Sequence, residues 1–133
     1  FEESLKQYLN WSPLKASPYV VKADKELLER ITQNDMIRGV TISANGFYGP
    51  QGRVLRLDLD DMQINDKIES FRYGNYKITN YEMEGSAIGG MSLLMGHKAL
   101  TVCCVIANRR VKAANTDYKP FIEGLIQKVL DRI

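Results

Sequence analysis

From Ala99 to Ala107 the chain reads Ala-Leu-Thr-Val-Cys-Cys-Val-Ile-Ala, and only Thr101 interrupts the apolar run. A strand with one wet face alternates apolar and polar residues. A run that is apolar at consecutive positions has two faces to cover. That demand fits a central strand in a largely parallel sheet, and it limits the fold more than any other stretch. Asn108, Arg109 and Arg110 follow it. In open α/β sheets, ligands bind beyond the carboxyl ends of the strands.

The last segment is the most regular helix. Tyr118, Phe121, Ile122, Leu125, Ile126, Val129, Leu130 and Ile133 recur at i, i+3, i+4 and i+7. Thr116 or Asp117 can cap it, Pro120 is tolerated in its first turn, and it is expected to pack on the sheet. A second helix is expected from Asp24, a plausible N-cap, to about Asn34, with Leu27, Leu28 and Ile31 as its apolar stripe. A third carries Ala87, Ile88, Met91, Leu94 and Met95 on one face and stops at Gly96. The glycines Gly85, Gly89 and Gly90 in this helix imply close approach of a neighbour or a ligand, since glycine costs a helix about 1 kcal/mol against alanine.

Strands are expected over Arg38–Ser43 and Lys77–Tyr81, and a short helix over Ile68–Tyr73. Before residue 24, Leu5, Tyr8 and Leu9 can form one helical turn, while Pro13 and Pro18 break the remainder. The order helix, strand, loop, strand, helix, strand, helix predicts an α/β fold with a central mixed, largely parallel sheet flanked by helices.

With 133 residues the chain has the length of one domain. Basic residues are scattered and the formal net charge is only +2, so there is no electrostatic footprint for nucleic acid or an anionic membrane. No apolar run is long enough to span a bilayer as a helix. Cys103 and Cys104 are adjacent, so in a strand they point to opposite faces; neither a disulfide between them nor a metal site is expected. Buried reduced thiols suit a cytoplasmic protein. The chain opens with Phe1 rather than Met, followed by an irregular aromatic segment, which leads us to expect a piece of something longer.

Two stretches carry chemistry. In Asn80-Tyr81-Glu82-Met83-Glu84-Gly85-Ser86-Ala87, the carboxylates Glu82 and Glu84 sit two residues apart where a strand gives way to a helix. On an extended chain they share a side and can accept hydrogen bonds from the vicinal hydroxyls of a ribose. Equally, they can serve only as the acidic start of a helix. In Phe47-Tyr48-Gly49-Pro50-Gln51-Gly52-Arg53, an amide and a guanidinium match the carbonyls and imide N–H of a heterocycle, with Phe47 beside it. The other reading is a plain connection with an aromatic tucked into the core. Asp58, Asp60 and Asp61 read as a solvated turn, because the spacing of a calcium loop is missing. His97, the single histidine, follows a helix stop and reads as a surface residue. Gly85-x-x-x-Gly89-Gly90 has the wrong spacing for a dinucleotide fingerprint.

Taken together, Tyr81 to Ala87, Phe47 to Arg53 and Val105 to Arg109 resemble the ribose segment, base-recognition loop and base-closing strand end of the nucleoside phosphorylase family, in its uridine phosphorylase-like branch. The similarity runs from about residue 20 to the end. It implies that residues 1–133 are the carboxyl-terminal part of a single nucleoside phosphorylase domain. By resemblance, Glu84 holds the ribose hydroxyls, Met83 lies against the sugar and Glu82 supports. Gln51 and Arg53 recognise the uracil edge, Phe47 packs near base and sugar, Ile106 and Ala107 line the base pocket, and Arg109 sits near Arg53 at the mouth.

The implied reaction is phosphorolysis of uridine to uracil and ribose 1-phosphate in pyrimidine salvage. Arg53, Glu84 and Arg109 are its expected catalytic residues, phosphate is the co-substrate, and no metal or cofactor is needed. Purine-specific relatives are expected to carry an acidic residue where this chain has Asn108-Arg109-Arg110. The alternatives are a purine nucleoside phosphorylase or nucleosidase of the same superfamily, and a non-catalytic nucleoside-binding module. The resemblance also implies a homo-oligomer of dimers, up to a hexamer, with phosphate residues drawn from an amino-terminal half not present here.

Overall fold

The computed structural model describes residues 1–108, 111 and 113–133. Helices α1 (Glu2–Tyr8) and α2 (Lys25–Thr32) precede strand β1 (Val40–Ser43). A 3-10 turn over Gly49–Gln51 leads to α3 (Ile64–Ser70), β2 (Arg72–Tyr73) and β3 (Tyr76–Glu82). Helix α4 (Gly85–Leu94), β4 (Ala107–Asn108), β5 (Ala113–Ala114) and α5 (Lys119–Leu130) complete the order.

The principal sheet is mixed. β3 is central, β1 lies parallel to it and β2 antiparallel. The β1–β3 register sets Val40 against Ile78, then shifts, and pairs Thr41 with Asn80, Ile42 with Tyr81 and Ser43 with Glu82. Because side chains alternate along a strand, the shift changes which β3 residues face inward. Ile78 and Tyr81 both join the core with Val40 and Ile42. Asn80 and Glu82 are left on the opposite face with Thr41 and Ser43, to which they are hydrogen-bonded.

The core is built by the segment whose sequence pattern was weakest. Leu5 and Leu9, one helical turn apart, are buried against Ile68, Phe71 and Ile78, with Phe1, Trp11 and Ile64 packed around them. Phe1 meets Phe71 edge-on at 5.3 Å, a favoured aromatic geometry.

Local signals are realised closely. Asp24 accepts the Leu27 amide at 2.9 Å as the N-cap of α2. At the end of α4, the His97 amide returns to the Ser92 carbonyl at 2.8 Å, across Gly96. Short-range expectations needed trimming elsewhere: the helix near Ile68 starts earlier, at Ile64, and Arg72–Tyr73 is strand.

Two long-range expectations are not met. Residues 99 to 106 pair with no described strand; only Ala107 and Asn108 enter a ladder, a short antiparallel one with Ala113 and Ala114. The run lies against the sheet through Cys103, beside the Asn80 and Thr41 side chains, and burial pushes its thiol pKa up. Val105 stays 66% exposed. Likewise α5 has its expected periodicity, but Phe121, Ile126, Leu130 and Ile133 are exposed. An open cleft of about 2520 Å³, lined by Ile42, Val102 and Leu125 among others, runs between these segments and the sheet. Apolar patterning demands cover without naming what supplies it, so the pattern was read correctly and the partner was not.

Polar contacts hold α5 instead. Arg132 donates to both carboxylate oxygens of Asp35, at 2.8 and 2.7 Å, and to the Ile31 carbonyl at 2.6 Å. Lys128 reaches Asp35 at 2.7 Å. Hydrogen bonds from Arg132 and Lys128 keep the Asp35 carboxyl well below the usual carboxylate range. Among the described residues, no helix is long and apolar enough to cross a membrane.

Candidate nucleoside site

The parallel pairing of β1 and β3 brings both chemistry-bearing stretches to one edge of the sheet. β1 ends at Ser43 and opens into the Phe47–Arg53 loop; β3 ends at Glu82, its register partner, and opens into Met83-Glu84-Gly85. The Ala44 amide still bonds the Glu82 carbonyl at 2.8 Å, so the two exits leave side by side. This is the carboxyl edge of a parallel pair, where ligands bind in α/β sheets.

The two carboxylates do not share a strand face, because β3 ends at Glu82 and Glu84 has left the extended conformation, with φ −129° and ψ −26°. Glu82 is part-buried and turned toward the start of α4. One of its carboxylate oxygens accepts the amides of Glu84 at 2.8 Å and Gly85 at 2.5 Å; the other accepts the Ser43 hydroxyl. Ser43 in turn accepts the Ser86 amide at 2.8 Å. Three free amides at the start of α4 are thus satisfied by two side chains, one of them from the neighbouring strand.

Burial raises the Glu82 pKa, but hydrogen bonds from Ser43 and from the Glu84, Gly85 and Met83 amides outweigh it, and the net shift is downward. Gly85 makes this packing possible: a Cβ there would lie 2.7 Å from the Thr101 hydroxyl oxygen and 3.1 Å from the Glu82 carboxylate. Glu84 and Met83 are exposed, and the Glu84 carboxylate makes no hydrogen bond or ion pair with the described residues.

The loop after β1 is ordered by its own backbone. Gln51 and Arg53 donate their amides to the Tyr48 carbonyl at 3.0 Å, and Gly52 donates to Gly49 at 2.8 Å. Gly52 occupies the left-handed region at φ +70°, open to glycine without penalty. The Arg53 guanidinium carbon sits 3.8 Å from the centre of the Phe47 ring, a cation–π contact on a half-exposed aromatic. Gln51 is turned inward at 3% exposure and already interacts within the chain.

The third stretch meets the second. Gly52, Arg53, Asn65, Ala107, Asn108, Ala113 and Ala114 line a shallow cavity of about 360 Å³ that is widely open at the surface. Ile106 is not among its walls; its carbonyl accepts the Asn115 amide at 2.8 Å. Arg109 lies outside the described residues. His97 is exposed. Among the described residues, no cluster of His, Cys, Asp or Glu could hold a metal. Two of the three aspartates before α3 are paired with lysines, Asp60 with Lys15 and Asp61 with Lys67, each at 2.6 Å.

Ser43 and Asn65 have parts in the site that the sequence reading missed. Ser43 had a signal: with Thr41 it alternates against Val40 and Ile42, which marks a polar strand face needing partners. Asn65, a lone amide in a short helix, had none.

The family model described as the phosphorylase superfamily matches residues 3–131. The uridine phosphorylase A of Schistosoma mansoni is 38% identical over 88 residues, which cover 64% of this chain and 29% of that protein. The inactive uridine phosphorylase B of the same organism is 31% identical over 113 residues, or 80% of this chain and 38% of that protein. The chain therefore spans about a third of the length of these curated relatives. No solved structure matches. The chain belongs to the phosphorylase superfamily.

Proposed function

We propose that this member of the phosphorylase superfamily supplies the base and ribose site for phosphorolysis of uridine. The carrying observation is that the Phe47–Arg53 loop and the Glu82–Gly85 exit leave adjacent parallel strands, with Glu84 exposed. Glu84 accepts hydrogen bonds from the ribose hydroxyls, with Met83 against the sugar. Glu82 acts behind it, fixing the backbone from which Glu84 projects. Arg53 faces the cavity it shares with Ala107 and meets the uracil edge there, with Phe47 packed behind the guanidinium. The family resemblance assigns Gln51 and Ile106 to base recognition and Arg109 to catalysis.

In the reaction the bond between the sugar anomeric carbon and the base nitrogen breaks, and its electron pair leaves with uracil. A phosphate oxygen bonds to the same carbon, and the uracil anion takes up a proton. The transition state is oxocarbenium-like, as in glycoside cleavage generally. Arg53 stabilises the charge growing on the base. The working molecule is a cytoplasmic homo-oligomer built from dimers.

A second reading is a nucleoside-binding module without turnover. It is favoured by the 31%-identical relative, which is named an inactive uridine phosphorylase. One experiment separates the readings: incubation of the full-length protein with uridine, inosine or methylthioadenosine, with and without phosphate, followed by chromatography of the products and a measurement of uridine binding. Phosphate-dependent release of uracil is expected. Turnover of inosine but not uridine would overturn the uracil assignment. Uridine binding with no uracil released would favour the module.

A further inference from the structure

The two halves of the candidate site are joined by one side chain that neither half contains. Asn65, in the first turn of α3, donates its amide to the Gly52 carbonyl at 3.2 Å. Its carbonyl oxygen accepts the Tyr81 hydroxyl at 3.0 Å. Gly52 lies between Gln51 and Arg53; Tyr81 immediately precedes Glu82. Asn65 also forms part of the wall of the cavity that Arg53 shares with Ala107. The fit is close: a Cβ on Gly52 would come within 2.3 Å of the Asn65 amide nitrogen.

We propose that Asn65 is a positioning residue that sets the height of the Gln51–Arg53 turn over the end of β3, and so fixes where the base lies relative to the sugar. The proposal rests on the nucleoside reading above. Its chemistry is that of a neutral amide used at both ends. The N–H end holds the carbonyl of Gly52, whose backbone is left-handed, while the C=O end is anchored to the sheet through Tyr81. An amide suits this task because it offers donor and acceptor from one planar group, so loop and strand are held at a fixed separation. Aspartate keeps the shape and the acceptor, but it sets an oxygen against the Gly52 carbonyl.

The test compares wild type with Asn65→Asp, Asn65→Ala and Tyr81→Phe. Amide hydrogen exchange is read at Gly52 and Arg53, and affinity is measured separately for uracil and for ribose 1-phosphate. In Asn65→Asp, exchange at the two loop amides should quicken about fivefold, the scale of one lost hydrogen bond. Uracil should bind about fivefold more weakly, while ribose 1-phosphate binds as before. Tyr81→Phe should show the same pattern to a smaller degree, since it frees the anchor and not the loop bond.

A purely structural residue would instead quicken exchange across the core, at Leu5 and Ile78 as well, and weaken both ligands together; that result would overturn the proposal. Wild-type protein that binds uracil, together with an Asn65→Asp variant of unchanged uracil affinity, would overturn this proposal alone. Wild-type protein that binds no uracil would overturn the nucleoside reading and this proposal with it.

Discussion

The sheet edge where β1 and β3 end, and the carboxyl-terminal region from Ala99 onward, are equally prominent in the sequence and unlike in the structure. At the first, polar groups meet partners across two strands, and the Glu82 carboxylate is used by Ser43 and by two amides. At the second, long apolar patterns surround an open cleft, and α5 is fastened by charged groups near its end. Hydrogen-bonded groups must be matched one to one at short range, so their arrangement is specific. Apolar area needs only to leave water, and many surfaces satisfy it.

The comparison can be broken most forcefully in the core. Phe71 is 3% exposed, whereas Phe121 on α5 is 61% exposed. Phe71→Ala should cost about 3–5 kcal/mol in denaturant unfolding. Phe121→Ala should stay within about 0.5 kcal/mol, the usual range for surface positions. Equal losses would mean that α5 is packed as firmly as the core.

A smaller effect should come from Ser43→Ala, which removes one donor to Glu82 and one acceptor for Ser86. We expect a loss of about 1 kcal/mol at neutral pH. The folded pKa of Glu82 lies below the ordinary glutamate value of 4.5. Its contribution is therefore present above that value and disappears as pH falls through the lower, folded pKa. The gap between wild type and Ser43→Ala should be constant from neutral pH down to about that value, then narrow under more acid conditions. A gap that widened in acid would contradict the role given to the hydroxyl. Urea titrations at several pH values provide the check.

How far each region was legible follows the same division. The Asp24 cap, the Gly96 stop and the β3 strand were readable because each depends on neighbours a few residues away. The placing of the Phe47–Arg53 loop beside the Glu82 exit was foreshadowed by motif order; the parallel register that achieves it was not. The separate positions of Glu82 and Glu84 were hidden, since they depend on Ser43, 39 residues before Glu82. Leu5 and Leu9 gave one turn of pattern, too little to announce the centre of the core. The partner of residues 99 to 106 stayed hidden because an apolar run specifies burial and not a neighbour.

The least effect is expected at the α5 fastening. Asp35→Asn removes the charge that Arg132 and Lys128 share, and should quicken amide exchange in α5 with little change in the unfolding midpoint. The Asp35 carboxyl is held well below its ordinary value of 3.8, so in wild type the fastening should survive acidification through that pH and open only below it. Exchange in α5 that quickened already near pH 5 would argue against it.

The central claim is that Glu82 serves the fold and Glu84 serves a ligand. It is tested most directly by comparing Glu82→Gln with Glu84→Gln, measuring the unfolding midpoint and the affinities for uridine and for uracil. Glu84→Gln should leave the midpoint unchanged and weaken uridine at least tenfold, the scale of charge-assisted hydrogen bonds, while uracil binds normally. Glu82→Gln should lower the midpoint. A Glu84→Gln protein that loses stability as Glu82→Gln does, or that binds uridine as wild type does, would contradict the account.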